Sequence, residues 1–431
     1  MSHSKDLWNR VARAKNKDMT NLDSSPRTSR TSIIITCYNY AHYLPFAIAS
    51  ALAQTLPAAE IILVDDGSSD NTAQIAAEFG ERVRYIYQSN RGLSAARNRG
   101  IQSASGEYVG FLDADDLWSP DFLKSLVPLL DREPTLGAVY CGSQFIDALG
   151  HRLSQVVTKT FPADRLHDVL VNGAFFPPGA VLVRKSVLEQ LGLFDGAMGA
   201  CDDWDMWLRI SAAYSFAGIP QILALYRRHG NNMTRDLARM RESQLNVARK
   251  HFGPEDGDPT QWSSDKQRAF ASIYLWHSLA NYQRNDYPNA FADLKRAFTV
   301  CPDISQSLDT FYLLGCANQP PGYVGDLETL HLDENAAWLL ESLKKIFSDP
   351  AIPTRLWSKQ GVCYGMSFFA LGILAYRKRS LGQARRWLAR AIRIHPALLQ
   401  NSQWRTTFAK SLLGHRLLSR GLELKRTRSA A

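Results

Sequence analysis

The chain of 431 residues is long enough for two or three domains, and its composition, 45% hydrophobic and 21% charged, is that of an ordinary globular protein. It contains no apolar run of the about 18 residues that a membrane-spanning helix needs, and the polar N-terminus predicts no signal peptide. The net charge of +9 is concentrated at the C-terminus, since residues from Leu371 onward hold 14 Lys and Arg against one acid, Glu423. Six scattered cysteines without a CxxC pair favour reduced thiols in a cytoplasmic protein.

Strands and helices alternate along the first half of the chain, after a polar segment at 1–30 that we expect to be mobile. Apolar or β-branched runs predict strands at 32–36, 60–64, 83–87 and 108–112, and helical spacing predicts helices at 43–54, 72–79 and 93–103. This alternation indicates an α/β domain with a mainly parallel central sheet, whose ligands bind beyond the carboxyl ends of the strands. The pattern is less regular from 121 to 200. A strand at 180–184, helices at 185–191 and 203–214, and strands near Phe216 and at 222–226 complete a domain that we expect to span 31–235.

Residues 236–431 are predicted to form a mostly helical domain. Phe368, Leu371, Gly372, Ala384, Leu388, Ala391 and Pro396 follow the spacing of a tetratricopeptide repeat, and Tyr274, Ser278, Ala290, Leu294, Ala297 and Pro302 follow it more loosely. The segment that contains Pro320, Pro321 and Gly322 fits the pattern poorly. We interpret the region as a degenerate helical repeat that could bind a protein partner. Close helix packing at small residues is an alternative explanation of the same match.

Two acidic clusters follow predicted strands, with Asp65 and Asp66 after the second strand and Asp113, Asp115 and Asp116 after the fourth. Because parallel strands end at the same edge of a sheet, both clusters are expected to face one crevice. Carboxylates held close together repel each other unless a positive group lies among them. The loop after the first strand has no GxGxxG, and the chain has no GxxxxGK[ST], which argues against a dinucleotide-binding or P-loop domain.

Several segments occur in a particular order: SIIITCYNYAHYLPFAIASALAQT, EIILVDDGSSDNT, NRGLSAARNRGIQSASGEYVGFLDADD, CDDWDMWLR and YRRHGNNMT. Together they resemble family 2 of the nucleotide-sugar glycosyltransferases over about residues 31–235. The resemblance implies a GT-A nucleotide-sugar-binding fold, here followed by a helical, repeat-like domain. It also implies inverting transfer of a sugar from a nucleoside-diphosphate sugar to an acceptor hydroxyl with Mg²⁺ or Mn²⁺, in surface polysaccharide or glycoconjugate synthesis. The acceptor would be a saccharide, a lipid-linked saccharide or a protein.

The resemblance implies roles for the first acidic residues. Asp115 would bind the metal, and Asp113 would reach the ribose or the water shell of the metal. Asp65 and Asp66 would read the base and ribose. Carboxylate oxygens are the ligands that both cations prefer. Asp116 is predicted to cap the helix that begins near Ser119, because aspartate suits the turn before a helix.

The resemblance also implies that Asp203 is the general base, while Asp202 replaces the family's glutamate and its role stays open. Thr36 and Tyr38 would touch the nucleotide. Arg91, at a helix N-terminus, is preferred over Arg97 as the diphosphate ligand, because Arg97 lies inside the helix and would pair with an acid. His229 is either a further metal ligand or a solvated loop residue. An acidic first helical turn is the structural alternative for Asp202, Asp203 and Asp205, with Asp205 paired to Arg209.

Two other functions compete with sugar transfer. A nucleotidyltransferase would need a glycine- and lysine-bearing loop after the first strand, and 36–43 offers none. A helical-repeat adaptor with an inert catalytic domain is opposed by the presence of both Asp115 and Asp203. The basic tail, including 412–420, is either an amphipathic helix at the inner face of a membrane or a solvated last helix. No pattern for nucleic-acid recognition accompanies the charge.

Overall fold

The computed structural model of the protein describes residues 30–319 and 327–412. The polar segment before residue 30, the stretch at 320–326 and the basic tail beyond 412 lie outside the described residues. The chain divides into two compact units. One contains 1–170 and 174–235, and the other contains 171–173 and 236–431.

The first unit is built around one nine-stranded sheet. The strands, in chain order, are β1 (Thr31–Cys37), β2 (Glu60–Asp65), β3 (Arg84–Tyr87), β4 (Tyr108–Asp113), β5 (Leu117–Trp118), β6 (Leu136–Ile146), β7 (Arg152–Val157), β8 (Val181–Arg184) and β9 (Ser215–Arg227). They are arranged β3-β2-β1-β4-β8-β6-β9-β5, and β7 pairs with β6. The pairings make β1 to β4, β6 and β9 run in one direction and β5, β7 and β8 in the other. The α/β class and the mainly parallel sheet predicted from the sequence are confirmed.

Helices connect these strands. They are α1 (Leu44–Leu52), α2 (Thr72–Glu78), α3 (Leu93–Ser103), α4 (Phe122–Arg132), α5 (Leu166–Leu170), α6 (Lys185–Leu191) and α7 (Asp202–Ala213). The central strand β1 is buried along its whole length, as expected for a strand with parallel neighbours on both sides. This burial explains why its sequence is an apolar run rather than an alternating one.

The sequence prediction was weakest at β6 and β9. β6 is largely buried, so its apolar run LGAVYCGSQFI lacks the alternation that identifies a half-exposed strand. Two separate strands were predicted near Phe216 and at 222–226, which was wrong. They form one strand, β9, which passes through Pro220 with shifts of register against β6. A proline lowers the strand signal of any sequence in which it occurs.

The register of β1 brings the two acidic clusters to one edge of the sheet. Thr36 pairs with Asp113 on β4, and the next residue, Cys37, pairs with Asp65 on β2. The carboxyl ends of the three strands therefore lie side by side, with β1 in the middle. This is the edge at which parallel sheets bind ligands.

The second unit is helical. Its helices are α8 (Leu237–Phe252), α9 (Ser264–Gln283), α10 (Tyr287–Val300), α11 (Leu308–Gly315), α12 (Leu332–Ser348), α13 (Thr354–Trp357), α14 (Gln360–Arg377) and α15 (Leu381–Ile394), and 402–412 are also helical. The two segments with repeat-like spacing form the helix pairs α9–α10 and α14–α15, and most of the residues in that spacing are buried. Gly372 is required in the second pair, because a Cβ there would lie 2.7 Å from the Leu388 side chain. The tetratricopeptide likeness itself stays a prediction.

Two predictions about the whole chain were checked against the described residues. All six cysteines are buried and free of disulfides. Within 30–319 and 327–412, the structure contains no helix with the length and hydrophobicity that crossing a bilayer requires.

Candidate active site

Arg97 lies at the centre of the candidate site and joins the two acidic clusters that are most distant in sequence. Its Nη1 donates to Asp202 Oδ1 at 2.8 Å, and its Nη2 donates to Asp113 at 3.2 and 3.3 Å. Thr36 Oγ1 donates to the same Asp113 at 3.1 Å, and Ser94 Oγ donates to Asp202 Oδ2 at 2.8 Å. The arginine and Asp202 are each only 2% exposed. The end of β4 and the start of α7 are therefore fixed to each other through one buried cation.

The sequence of α3 places Arg97 in this position. Ser94, Arg97 and Ile101 follow the spacing of one helical face, and all three are buried against the sheet. Burial opposes the charge on Arg97, but the surrounding carboxylates of Asp202 and Asp113 outweigh it and raise its pKa. The guanidinium remains charged at any physiological pH.

Asp203 lies in the first turn of α7, beside this buried pair. Burial, followed by the charge of Asp202, raises the pKa of Asp203 to about 7. Arg97 acts in the opposite direction but does not cancel these effects. Asp203 Oδ1 accepts the Trp204 backbone N–H at 2.8 Å, and Oδ2 has no hydrogen-bond partner among the described residues. One oxygen of a carboxylate that titrates near neutral pH is therefore available to a ligand.

Asp115 pairs with His229, which follows β9. His229 Nε2 lies 2.8 Å from Asp115 Oδ2, and the two side chains are 6% and 12% exposed. The rings of Tyr40 and Tyr43, from the segment between β1 and α1, lie 5.4 and 5.1 Å from the imidazole. The two tyrosine rings thus shield the imidazole. Asp115 and His229, which were predicted as metal ligands on separate segments, lie side by side.

The prediction that Asp116 caps a helix was wrong. Asp116 is buried, and its Oδ1 accepts the Arg227 backbone N–H at 2.8 Å, whereas the residue that precedes α4 is Asp121. Burial raises the pKa of Asp116, and the charges of Asp115 and Asp113 add to the effect. Arg227 Nε also donates to the Asp115 carbonyl at 2.6 Å. Asp116 and Arg227 therefore join the loop after β4 to the end of β9, and this loop carries Asp115.

Asp65 and Asp66 are buried at the end of β2 and hold the neighbouring loops. Asp65 accepts from the Ser68 backbone N–H at 2.8 Å and from the Tyr85 hydroxyl at 2.7 Å. Asp66 accepts from three donors of the segment before α3: the Gln88 amide at 2.7 Å and the backbone N–H groups of Arg91 and Gly92 at 2.9 and 2.8 Å. Asp66 thereby shapes the N-terminus of α3.

The remaining predicted residues differ in how closely they join the site. Thr36 is buried and bonded to Asp113, as described. Tyr38 is 48% exposed beyond the end of β1. The Arg91 side chain is also exposed, while its backbone is held by Asp66. Both exposed side chains border the strand ends, without a polar contact to Asp113, Asp115 or Asp203.

The sequence prediction underrated Arg97 and did not foresee that Arg227 bonds the loop after β4. Arg97 was expected only to pair with an acid; the pairing is confirmed, but it involves both clusters at once. Its position three residues after Ser94 on the buried face of α3 was an available signal, since a buried arginine needs carboxylate partners. For Arg227, the apolar strand that precedes it was the available signal of burial. The pairing of Asp205 with Arg209 is confirmed, at 2.8 Å.

Of the predicted metal ligands, Asp115 and His229 form a pair, whereas Asp113 bonds Arg97 and Thr36. The described residues contain no group of three or more His, Cys, Asp or Glu side chains that would hold a metal without help. Asp115 and His229 nevertheless offer one carboxylate oxygen and one imidazole nitrogen 2.8 Å apart. This donor set fits a divalent cation that takes its other ligands from a diphosphate and water.

Comparison with known sequences identifies the protein family of the part of the chain that carries the candidate site. Residues 32–192, which include the strand ends, Arg97 and the loop after β4, match the model of glycosyl transferase family 2. This part of the chain belongs to glycosyl transferase family 2. An uncharacterized glycosyltransferase of Rickettsia typhi is 38% identical over 194 residues, which cover 42% of this chain and 60% of the relative. The chondroitin synthase of Escherichia coli is 27% identical over 263 residues, 59% of this chain and 37% of the relative.

The family 2 domain accounts for the sequence resemblance but not for the whole chain. The chain spans less than two thirds of the Rickettsia typhi relative. Among solved structures, a mannosyltransferase of Pyrobaculum calidifontis in complex with GDP-Man and Mn²⁺ is 20% identical with a TM-score of 0.46, covering 86% of this chain and 95% of the other. The GT-A fold follows from the family and from the sheet described above.

Proposed function

We propose that residues 31–235 catalyse transfer of a sugar from a nucleoside-diphosphate sugar to an acceptor hydroxyl, with inversion at the anomeric carbon. The observation that carries the proposal is the buried bridge from Asp113 through Arg97 to Asp202. It connects a strand-end carboxylate, suited to the donor, with the turn that carries Asp203. The family of residues 32–192 supports the same reaction.

Asp203 is the proposed general base. Its Oδ2 would take the proton of the acceptor hydroxyl while that oxygen forms a bond to the anomeric carbon. The bond from the anomeric carbon to the diphosphate breaks in the same step, and the nucleoside diphosphate leaves with the electron pair. Attack opposite the leaving group inverts the centre. A pKa of about 7 suits a group that must be ionised and basic near neutral pH.

The donor would bind across the ends of β2, β1 and β4. Asp65, Asp66 and Thr36 border the base and ribose, with Asp113 at the ribose and Tyr38 available to stack on the base. Arg91, exposed at the N-terminus of α3, would meet the diphosphate, since backbone N–H groups and guanidinium both favour phosphate. Hydrogen bonds already hold Asp65 and Asp66, so each offers a fixed oxygen rather than a mobile one.

Asp115 and His229 would hold Mg²⁺ or Mn²⁺. When bound, the cation neutralises the charge that develops on the departing diphosphate. The residues around the pair keep it in place: Arg227 holds the Asp115 backbone, and Tyr40 and Tyr43 shield the imidazole. The product would enter a surface polysaccharide or glycoconjugate, on a saccharide, lipid-linked or protein acceptor.

The test is sugar transfer by the full chain with a panel of nucleoside-diphosphate sugars, followed by mass spectrometry of released nucleotide and product. Asp203→Asn is expected to lower the transfer rate by about 10²- to 10⁴-fold. Asp115→Asn is expected to lower it as well. Asp164→Asn, at an exposed aspartate of the same unit, is the control and should leave the rate unchanged. Full activity in both site variants would contradict the proposal and leave the inert-adaptor alternative.

A further inference from the structure

The C-terminal helices of the second unit carry positive charge without acidic neighbours in sequence. Residues 350–412 contain eleven Lys and Arg and no Asp or Glu. Ten of the eleven are exposed, and Lys359 is half-buried. Arg355 and Lys359 reach Asp303, from an earlier segment. Most of this charge therefore faces solvent.

Helix α15 concentrates the charge on one face. Arg386, Arg390 and Arg393 follow the spacing of a single helical stripe, and each is exposed. Ala384, Leu388 and Ala391 occupy the opposite face and are fully buried. Within 30–319 and 327–412, no carboxylate lies within ion-pair distance of the three arginines. An arginine stripe of this kind attracts an external anion.

Exposed apolar side chains lie at one end of the same helix pair. Trp357, just before α14, is 58% exposed, and Ile394 and Leu399, at and beyond the end of α15, are 43% and 51% exposed. The two helices are antiparallel, since Gly365 lies against His395 whereas Gly372, farther along α14, lies against Leu388. The start of α14 and the end of α15 thus meet, and Arg393 directly precedes Ile394 at this end of the helix pair.

We propose that this basic–apolar surface, formed by Trp357, Arg386, Arg390, Arg393, Ile394 and Leu399, docks on a lipid bilayer that carries anionic headgroups. Guanidinium groups bind phosphate oxygens in a bidentate manner, and their apolar stems lie along the interface. Tryptophan and aliphatic side chains enter the boundary between headgroups and acyl chains. The surface provides both kinds of contact together.

A nucleic acid explains the same charge less completely. It would satisfy the arginines, and Trp357 could stack on a base. Ile394 and Leu399 have no ring to stack, however, and they gain free energy only by leaving water for an apolar phase. The pairing of arginines with exposed aliphatic residues favours a bilayer. The inference does not depend on the sugar-transfer reaction.

The experiment is co-sedimentation of the full chain with vesicles at about 0.15 M salt. One set contains phosphatidylglycerol in phosphatidylcholine, and the other contains phosphatidylcholine alone. We expect binding to the anionic vesicles only. Each basic side chain near an anionic surface strengthens binding about fivefold, so Arg386→Gln/Arg390→Gln/Arg393→Gln should weaken it about 100-fold. Ile394→Ser/Leu399→Ser should also weaken it, since the aliphatic contacts are lost.

Matched controls keep the result interpretable. Lys124→Gln/Arg132→Gln removes exposed basic residues from α4, in the other unit, and should leave vesicle binding unchanged. The thermal unfolding midpoint of each variant should equal that of the unmodified chain, because every substituted side chain is exposed. The proposal is overturned if the unmodified chain does not bind anionic vesicles, or if the arginine variant binds them as tightly as the unmodified chain does. It is also overturned if an oligonucleotide of mixed sequence binds the same arginines while the anionic vesicles do not.

Discussion

Arg97 donates to Asp202 across 105 positions of sequence, at 2.8 Å, and neither side chain is more than 2% exposed. Because the same guanidinium also bonds Asp113, the relationship links the strand end that would hold the donor to the helix that carries the proposed base. The carboxylates of Asp113 and Asp202, from distant segments, can both bond to Arg97 because its buried positive charge offsets their mutual repulsion. Stability and activity should therefore both depend on Arg97.

Removing the guanidinium should destabilise the first unit. Arg97→Met leaves Asp202 buried without its cation, and we expect the free energy of unfolding to fall by about 3–5 kcal/mol. Arg97→Lys should recover only part of this, since a single ammonium cannot reach two carboxylates in the way a planar guanidinium does. Chemical denaturation measures the free energy of unfolding of both Arg97 variants. Arg99→Met, at an exposed position of the same helix, is the control and should change stability by less than about 0.5 kcal/mol.

The rate of sugar transfer should depend on the ionisation of Asp203. With a pKa of about 7, the carboxylate is mostly protonated in acid and mostly ionised in mild base. We expect kcat/KM to rise about tenfold per pH unit below that value and to level off above it. The profile is measured between about pH 5 and 9 with saturating metal. A flat profile through neutral pH would show that another group accepts the proton.

The same carboxylate should make stability depend on pH. Its pKa is about 7 in the folded protein against the ordinary value of 3.8, so the folded state binds the proton more tightly than the unfolded state. The stabilisation is fully present below about pH 4 and is lost as the pH rises through 7. Asp203→Asn should therefore unfold at a higher temperature than the unmodified chain at pH 8. The gain is on the order of 2 kcal/mol, allowing for partial exposure, and should vanish near pH 4. If Asp203→Asn were stabilised equally at both pH values, the raised pKa of Asp203 would be contradicted.

The pairing of Asp115 with His229 predicts the effect of removing the imidazole on metal binding. His229→Ala should weaken Mn²⁺ binding in the presence of UDP or GDP by about tenfold or more. Mn²⁺ paramagnetic resonance gives the bound fraction without any turnover. His151→Ala is a matched control, because His151 forms a similar bond with Asp147 at 3.0 Å on an exposed loop. Unchanged Mn²⁺ affinity in His229→Ala would show that the histidine only orients Asp115.

Asp66 should control the loop before α3. In Asp66→Asn, one of the backbone N–H groups of Arg91 and Gly92 would face an amide NH₂ instead of an acceptor, at a cost of about 1–3 kcal/mol. Amide hydrogen exchange at both positions should accelerate, and the KM for the donor should rise. Glu78→Gln, on the exposed face of α2, is the control. Protection that survives in Asp66→Asn would mean that the loop holds its shape without the carboxylate.

Local patterns explain which parts of the fold could be predicted. The strands at the start of the sheet and α3 were correct to within one or two residues, because short apolar runs alternate there with helical spacing and turn residues. β6 was not predicted and β9 was split, because burial on both faces and an internal proline remove the periodic signal. The cap assigned to Asp116 was wrong for a related reason: its partner, Arg227, lies 111 positions away.

By itself, the sequence determined the family of residues 32–192, the α/β class and the positions of the acidic clusters at strand ends, since each depends on short segments in a given order. The tertiary structure decided which charges meet. Arg97 rather than Arg91 lies between Asp113 and Asp202, His229 reaches Asp115, and Asp203 acquires a pKa near 7. The physical reason is that Coulomb interactions and desolvation depend on distance and burial, and no local pattern specifies either for residues a hundred positions apart.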